Sequence, residues 1–141
     1  MGLNIELKPN LGFEKKNVEA IANLLKIINF QNQFYFSSFD WNSVILMKQY
    51  MPDAHFGLLV DKFNSEISFK DALDICHKYH FYCCGFNKKI INSEIMDCMD
   101  AENLITTIYS EKNVKIYEAN ELWSMGVKSI FIDDPSNFNI F

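Results

Sequence analysis

Two ionisable residues near the start of the sequence, Glu6 and Lys8, have the spacing of a ligand site on a β-strand. Residues 3–8 alternate between apolar and polar, and a strand sends alternate side chains to opposite faces. Asn4, Glu6 and Lys8 would therefore share one face of that strand. Pro9 cannot donate a ladder hydrogen bond, so we expect the strand to end there, with Glu6 and Lys8 at its carboxyl end. Barrels and open α/β sheets bind their ligands at that end.

The same alternation also fits a simpler arrangement, an edge strand whose polar face meets water. Glu6 and Lys8 would then form a weak, exposed ion pair without a ligand. Alternation alone does not separate these two interpretations.

The composition argues against several classes of protein. A chain of 141 residues is sufficient for one domain with one core. Its 13 basic and 18 acidic residues give a net charge of −5 without a basic cluster, so we expect no nucleic-acid partner. No apolar run reaches the length of a membrane span, and no signal peptide is recognisable. We therefore expect a cytoplasmic protein.

The four cysteines are Cys76, Cys83, Cys84 and Cys98. They form no CxxC pair and have no histidine pair at the spacing of a zinc site. A chain with so many apolar residues does not need disulfides to hold its core. We expect buried, reduced thiols.

The apolar pattern predicts strands and helices in alternation. Apolar residues recur at intervals of three and four over 15–29, which indicates an amphipathic helix. Helix ends are marked by an N-cap at Asp40, a capping-box pattern at Ser68 and Asp71, and a left-handed C-cap at Gly126. The predicted strands cover 3–8, 34–39, 55–61, 81–87, 104–109 and 127–132.

Apolar strands joined by amphipathic helices are typical of a parallel sheet covered by helices. About six strands are predicted, whereas a closed TIM-type barrel has eight. The predicted fold is therefore α/β, a partial TIM-type (β/α) barrel that lacks its first units. Residues 1–135 would form the barrel part and 136–141 a short surface tail. The two open sheet edges would need to be covered by self-association, by a partner or by a rearrangement of the chain.

Several short motifs, in order along the chain, resemble those of the glycerophosphodiester phosphodiesterase family. The run Asn4-Ile5-Glu6-Leu7-Lys8-Pro9 resembles the family's NIEIKP motif. The others are Ser37-Ser38-Phe39 for SSF, Gly57-Leu58-Leu59 for GLL, Phe86-Asn87 for LN, and Gly126-Val127 with Ile130 to Asp133 and Pro135 for the closing GVD-hydrophobic-TD-P element. The resemblance covers nearly the whole chain and implies the carboxyl-terminal part of a phospholipase C-like phosphodiesterase barrel.

The resemblance implies metal-dependent hydrolysis of phospholipid-derived glycerophosphodiesters to glycerol 3-phosphate and an alcohol. It also implies one Ca²⁺ or Mg²⁺ ion, a hard cation that prefers carboxylate oxygens. In the family, the glutamate of the NIEIKP motif binds the metal and the neighbouring lysine contacts the phosphate. These roles fall on Glu6 and Lys8. Asn87, in the LN turn, is a further candidate for holding the phosphate.

Other motifs of the family have no counterpart here. Family members carry an HRG motif, an E-x-D metal pair and an HD motif before the NIEIKP strand, whereas this sequence starts only a few residues before Glu6. The acid/base histidines and two of the three expected carboxylate ligands are therefore missing, and we assign no catalytic residue. His55, His77 and His80 fall at the amino end of a strand, on a helix or just after one, where they would not face Glu6.

Two functions are consistent with this pattern. The first is part of a phosphodiesterase that is inactive alone and needs an amino-terminal half supplied by another polypeptide. Attack on phosphorus needs an acid and a base, each contributing a factor of roughly 10² to 10⁴. The second is a non-catalytic module or scaffold of the same fold that holds a small phosphate ligand through Lys8 and Asn87. A remnant reading frame without a function is a third alternative.

Overall fold

The computed structural model describes residues 3–28 and 34–138. In this part of the chain six β-strands alternate with five α-helices and are followed by a short 3-10 helix. The strands are β1 (Leu3–Glu6), β2 (Phe34–Ser38), β3 (His55–Val60), β4 (Cys83–Asn87), β5 (Ile105–Tyr109) and β6 (Ser129–Ile130). The helices are α1 (Glu14–Ile27), α2 (Trp41–Tyr50), α3 (Phe69–Tyr79), α4 (Ser93–Ala101) and α5 (Ile116–Ser124), and the 3-10 helix is Pro135–Phe138. Asn29, the predicted end of the first helix, and tail residues 139–141 lie outside the described residues.

The six strands form one parallel sheet in which spatial order follows chain order, from β1 to β6. Neighbouring strands pair in parallel, with Ile5 beside Phe36 and Phe86 beside Ile108. Side chains from β1 and from the segment after β6 line one common cavity, so the sheet is curled. The partial TIM-type barrel predicted from the sequence is confirmed.

The core lies between the outer, convex face of the sheet and the helices. Its largest members on the strands are at most 1% exposed: Phe36, Phe56, Leu58, Phe86 and Ile108. Burying a side chain of this size contributes about 1.5–3 kcal/mol relative to leaving it in water. Burial of these apolar side chains on the outer face therefore stabilises the sheet, and the inner face is available for polar groups.

The inner face of the sheet is crowded at Gly57. A Cβ atom there would overlap the hydroxyl group of Tyr35 and would lie 2.9 Å from the carbonyl oxygen of Cys83. The Tyr35 hydroxyl donates to Cys83 Sγ at 3.5 Å, and the thiol donates to Thr107 Oγ1 at 3.7 Å. Burial raises the pKa of the Cys83 thiol to about 11, so this thiol stays protonated near neutral pH.

The predicted helix caps are confirmed. The Asp40 carboxylate accepts a hydrogen bond from the Ser43 N–H at 3.3 Å at the start of α2. At the start of α3, Ser68 and Asp71 form the reciprocal capping box, with N···O distances of 3.1 and 2.8 Å. Gly126 follows α5 with φ of +99°, a conformation that side chains with a Cβ rarely adopt.

Three strands have a boundary that differs from the predicted one by two or more residues, and in each of the others one boundary differs by one residue. β1 ends at Glu6 rather than at Pro9, although the Leu7 N–H still donates to β2 at 2.7 Å. The Phe81 N–H donates to the Cys76 carbonyl at 2.9 Å, so Phe81 closes α3 instead of starting β4. β6 is only 2 residues long, within the predicted 127–132, and it pairs with β5 alone among the described strands.

All four cysteines are free thiols, which confirms the prediction of reduced cysteines. Three of them are buried, whereas Cys98 on α4 is only partly buried, so full burial was the wrong expectation for this residue.

The start of the tail packs on the domain: Phe138 is 9% exposed, and its ring centroid lies 6.4 Å from that of Trp123. No helix within 3–28 or 34–138 has both the length and the apolar character needed to span a membrane.

Candidate functional site

A cavity of about 380 Å³ opens on the inner side of the sheet, at the carboxyl ends of the strands. Glu6 and Lys8 line it from the end of β1, and Asp133 lines it from the segment after β6. The curl of the sheet thus brings the two ends of the described chain to one site. Its remaining walls include polar and aromatic side chains: Asn4, Ser37, Phe39, Tyr109, Ser110 and Phe131.

Glu6 and Lys8 lie together in this cavity, as the alternation of β1 predicts. Lys8 Nζ is 3.3 Å from Glu6 Oε1, and the lysine side chain is 76% exposed while that of the glutamate is 30% exposed. Glu6 Oε1 is buried and accepts no hydrogen bond from the described residues. A buried carboxylate oxygen without a hydrogen bond is costly unless a cation satisfies it. Lys8 supplies part of that compensation, and its ammonium group remains open to an anion from solvent.

The backbone between Glu6 and Lys8 is held by β2. Leu7 is 1% exposed, and its N–H donates to the Ser37 carbonyl at 2.7 Å. The Leu7 carbonyl accepts a hydrogen bond from the buried Ser38 hydroxyl at 2.6 Å. The apolar Leu7 side chain points into the core, so its two polar neighbours are directed to the opposite face.

The residues present fit a partial site for a divalent cation. Ca²⁺ and Mg²⁺ take six or more oxygen ligands, several of them water. Glu6 offers an oxygen that no hydrogen bond occupies, and Asp133 offers a second carboxylate in the same cavity. Within 3–28 and 34–138, however, no group of three or more His, Cys, Asp or Glu side chains could hold a metal ion. Further ligands would have to come from other residues, from substrate or from water.

Asn87 lies next to the cavity but does not line it. Its side chain is 3% exposed; Nδ2 donates to Asp61 Oδ1 at 2.8 Å, and Oδ1 accepts from the Lys89 N–H at 3.0 Å. These hydrogen bonds give both polar atoms of the amide a partner within the protein. The role of Asn87 in holding a phosphate therefore stays a prediction, and the geometry assigns this side chain to the support of Asp61.

Asp61 and Tyr109 complete a hydrogen-bonded cluster with Asn87, and no motif in the sequence indicates that these three side chains meet. Tyr109 Oη lies 3.0 Å from Asp61 Oδ1 and 3.2 Å from the Val60 carbonyl oxygen. The hydrogen bonds from Asn87 and Tyr109 lower the pKa of Asp61, whereas burial and the carboxylate raise the pKa of the Tyr109 phenol. The sequence carries one signal for this cluster, since each of the three residues ends or directly follows a buried strand.

The three histidines lie away from the cavity, as the sequence predicts. His55 begins β3, with its ring centroid 5.0 Å from that of Tyr82. His77 Nε2 is 3.1 Å from Glu102 Oε2 on the helical side. His80 caps α3 in the left-handed conformation, with φ of +54°.

No protein-family model matches the sequence, and no curated protein is significantly similar to it. Solved structures do share its fold. A phosphodiesterase of Oleispira antarctica, solved in complex with the product sn-glycerol-3-phosphate, matches 93% of the chain at 21% identity with a TM-score of 0.80. A Silicibacter pomeroyi protein assigned to the glycerophosphoryl diester phosphodiesterases matches 96% of the chain at 15% identity and also has a TM-score of 0.80.

The fold is not confined to phosphodiesterases. A glycerol uptake operon antiterminator regulatory protein of Listeria monocytogenes matches the whole chain at 8% identity, with a TM-score of 0.58. The chain covers 51% and 48% of the Oleispira and Silicibacter proteins, so it spans about half the length of these phosphodiesterases. In its described residues the chain has the fold of part of the barrel found in glycerophosphodiester phosphodiesterases.

Proposed function

We propose that this chain forms part of a glycerophosphodiester phosphodiesterase-like barrel whose cavity binds a small phosphate ligand. Lys8 contacts the phosphate, and Glu6 contributes one ligand to a Ca²⁺ or Mg²⁺ ion. The observation that carries the proposal is the pairing of Lys8 Nζ with Glu6 Oε1 at 3.3 Å, in a cavity at the carboxyl ends of the strands. The glycerol 3-phosphate in the Oleispira phosphodiesterase supports the choice of ligand.

A cation and a carboxylate side by side can bind a phosphate in a defined orientation. The exposed ammonium of Lys8 neutralises a phosphate oxygen through a charge-assisted hydrogen bond. A divalent ion on Glu6, when bound, would polarise a second phosphate oxygen. Leu7, anchored on β2, keeps these two side chains on the same side of the backbone.

Hydrolysis would need a general acid and a general base, which typically contribute factors of roughly 10² to 10⁴ each. None of the three histidines lines the cavity. We therefore propose that the chain binds its ligand alone, and that turnover requires a complementary half-barrel carrying the acid and the base.

A non-catalytic phosphate-binding or scaffold module is the second candidate. None of the three histidines lines the cavity, which favours this function, and the fold also occurs in a regulatory protein. On this view Lys8 would still bind phosphate, but no complementary half would produce turnover.

Calorimetric titration with glycerol 3-phosphate, with and without Mg²⁺ or Ca²⁺, tests the binding proposal. A hydrogen bond to a charged group is worth about 1.5–3 kcal/mol, so Lys8→Ala is expected to weaken binding roughly 10- to 100-fold. Glu6→Gln is expected to abolish the increase in affinity that the metal gives. Lys26→Ala on α1, an exposed lysine away from the cavity, is the matched control and should leave affinity unchanged. Absence of glycerol 3-phosphate binding, or a Lys8→Ala variant with unchanged affinity, would refute the assignment.

Hydrolysis of glycerophosphocholine separates the two functions. The chain is assayed alone and mixed with the amino-terminal half of the Oleispira phosphodiesterase, with assembly of the mixture checked by gel filtration. Turnover in the assembled mixture alone supports a phosphodiesterase half. An assembled mixture that binds glycerol 3-phosphate without turnover supports the binding module.

A further inference from the structure

The turn between β1 and α1, residues 10–13, presents an apolar side chain directly to solvent. Leu11 is 95% exposed, which makes it the most exposed large apolar side chain of the described residues. Phe13, two residues later, is 55% exposed. Single exposed apolar residues are common on protein surfaces, so the support, charge and position of this turn decide whether it has a role.

Hydrogen bonds hold the β1–α1 turn in one shape. The Phe13 N–H donates to the Asn10 carbonyl at 2.9 Å, and Gly12 has φ of +80°. This is the geometry of a type II turn, with Leu11 at its first central position. The Gly12 N–H also donates to Glu14 Oε1 at 2.8 Å. Backbone contacts therefore hold Leu11 at an exposed tip, where its side chain gains nothing from water.

Lysines surround this apolar tip. Residues 8–16 contain three lysines and one glutamate, a net charge of +2 in a chain whose net charge is −5. Lys16 Nζ lies 5.4 Å from the centroid of the Phe13 ring. The Lys15 side chain is 73% exposed, and its pair with Glu19 at 3.8 Å is an exposed one that contributes little. The turn thus combines an apolar tip with a positively charged base.

The β1–α1 turn stands beside the proposed phosphate cavity. It joins the carboxyl end of β1 to the start of α1, at the edge of the sheet where the cavity opens. Pro9 lines a cavity of about 340 Å³ that shares Glu6, Lys8 and Phe39 with the phosphate cavity. A surface that receives Leu11 would therefore lie on the same side of the molecule as the phosphate cavity.

We propose that the β1–α1 turn docks the chain on an anionic lipid surface, with Leu11 inserted among the headgroups and Lys15 and Lys16 against them. A membrane interface buries apolar side chains and attracts lysines at the same time, so it matches both parts of the turn. An apolar pocket on a protein would accommodate Leu11 but would not account for the lysines around it. The inference goes beyond the proposed function, since neither Leu11 nor Phe13 lines the phosphate cavity.

Co-sedimentation of the full chain with lipid vesicles tests the docking. Binding is expected to vesicles of equal parts phosphatidylserine and phosphatidylcholine, and it should weaken as salt screens the charges. Each lysine close to an anionic surface contributes about fivefold, so the Lys15→Gln/Lys16→Gln variant should bind these vesicles roughly 20-fold more weakly. Lys26→Gln, which changes an exposed lysine in the last turn of α1, is the matched control and should bind as the unmodified chain does.

Leu11 variants separate insertion from electrostatic attraction. Leu11→Ser should weaken binding to the mixed vesicles roughly tenfold, because an apolar side chain is no longer buried. Ile27→Ser is the matched control, since Ile27 is 79% exposed at the opposite end of α1, and it should leave binding unchanged. The fluorescence of Leu11→Trp should shift to shorter wavelength when the vesicles are added, whereas that of Ile27→Trp should not. Circular dichroism checks that all four variants are folded.

Two kinds of result would overturn the proposal. The first is no binding to the mixed vesicles, or binding that Leu11→Ser leaves unchanged. The second is a dimer in gel filtration that Leu11→Ser converts to a monomer, without vesicle binding, because a second copy of the chain would then cover the turn.

Titration with glycerol 3-phosphate reports the phosphate site separately, and Leu11→Ser should leave its affinity unchanged. If the chain binds glycerol 3-phosphate but not the vesicles, the phosphate site stands and the lipid docking is wrong. If the vesicles bind with sensitivity to Leu11→Ser but glycerol 3-phosphate does not bind, the docking stands and the phosphate assignment is wrong.

Discussion

Ser38 is the residue whose removal most directly tests how the Glu6–Lys8 strand end is held. Its side chain is 1% exposed, and the hydroxyl makes two hydrogen bonds. It donates to the Leu7 carbonyl at 2.6 Å and accepts from the Asp40 N–H at 2.9 Å. The hydroxyl thereby joins the end of β1 to the start of α2.

Ser38→Ala removes both hydrogen bonds. A hydrogen bond contributes about 1 kcal/mol net, and a buried acceptor left without a partner costs about 1–3 kcal/mol. Because the Leu7 carbonyl is buried in this way and the Asp40 N–H is only partly buried, we expect a loss of about 2–3 kcal/mol in the free energy of unfolding. With a urea m-value of about 1–3 kcal/mol/M, the midpoint should fall by roughly 1 M.

Equilibrium urea unfolding, followed by circular dichroism, measures this loss. Ser124→Ala is the matched control, because the exposed Ser124 hydroxyl donates at 2.8 Å to a carbonyl of its own helix. Such a surface change is expected to alter stability by less than about 0.5 kcal/mol. A Ser38→Ala variant as stable as the control would refute the argument. Affinity for glycerol 3-phosphate should also fall in Ser38→Ala, since Lys8 follows the residue that loses its anchor.

Two further predictions concern the inner face and the aspartate cluster. Gly57→Ala should lower the free energy of unfolding by about 1–3 kcal/mol, because the new methyl group overlaps the Tyr35 hydroxyl. Removing that hydroxyl in a Tyr35→Phe/Gly57→Ala double variant should recover part of the loss in urea unfolding, and no recovery would contradict the packing argument. The pKa of Asp61 lies below its ordinary value of 3.8 in the folded state, so its carboxylate stabilises the fold above about pH 4, and that contribution is lost as the pH falls through the lowered pKa. Asp61→Asn should therefore flatten the decline of the urea midpoint below about pH 4, and parallel curves for the two proteins would show that Asp61 makes no such contribution.

Local sequence patterns determined the elements of this fold. The alternation over 3–8 shows which face of the strand is apolar, and the intervals of three and four over 15–29 show the apolar face of the helix. Both patterns depend only on residues that are close together in the sequence. Caps such as Asp40 and the Ser68–Asp71 box are local as well, since donor and acceptor are three residues apart. Boundaries were less predictable where a residue such as Phe81 bonds to the preceding helix rather than to the sheet.

The sequence by itself also determined that Glu6 and Lys8 face the same side of their strand, because the period of a strand is two residues. Only the tertiary structure decided which groups they meet. The curl of the sheet brings Asp133 into their cavity, and parallel pairing places Asp61, Asn87 and Tyr109 at adjacent strand ends. These contacts join residues that are far apart in the chain, and they depend on sheet curvature and strand order, which no local pattern encodes.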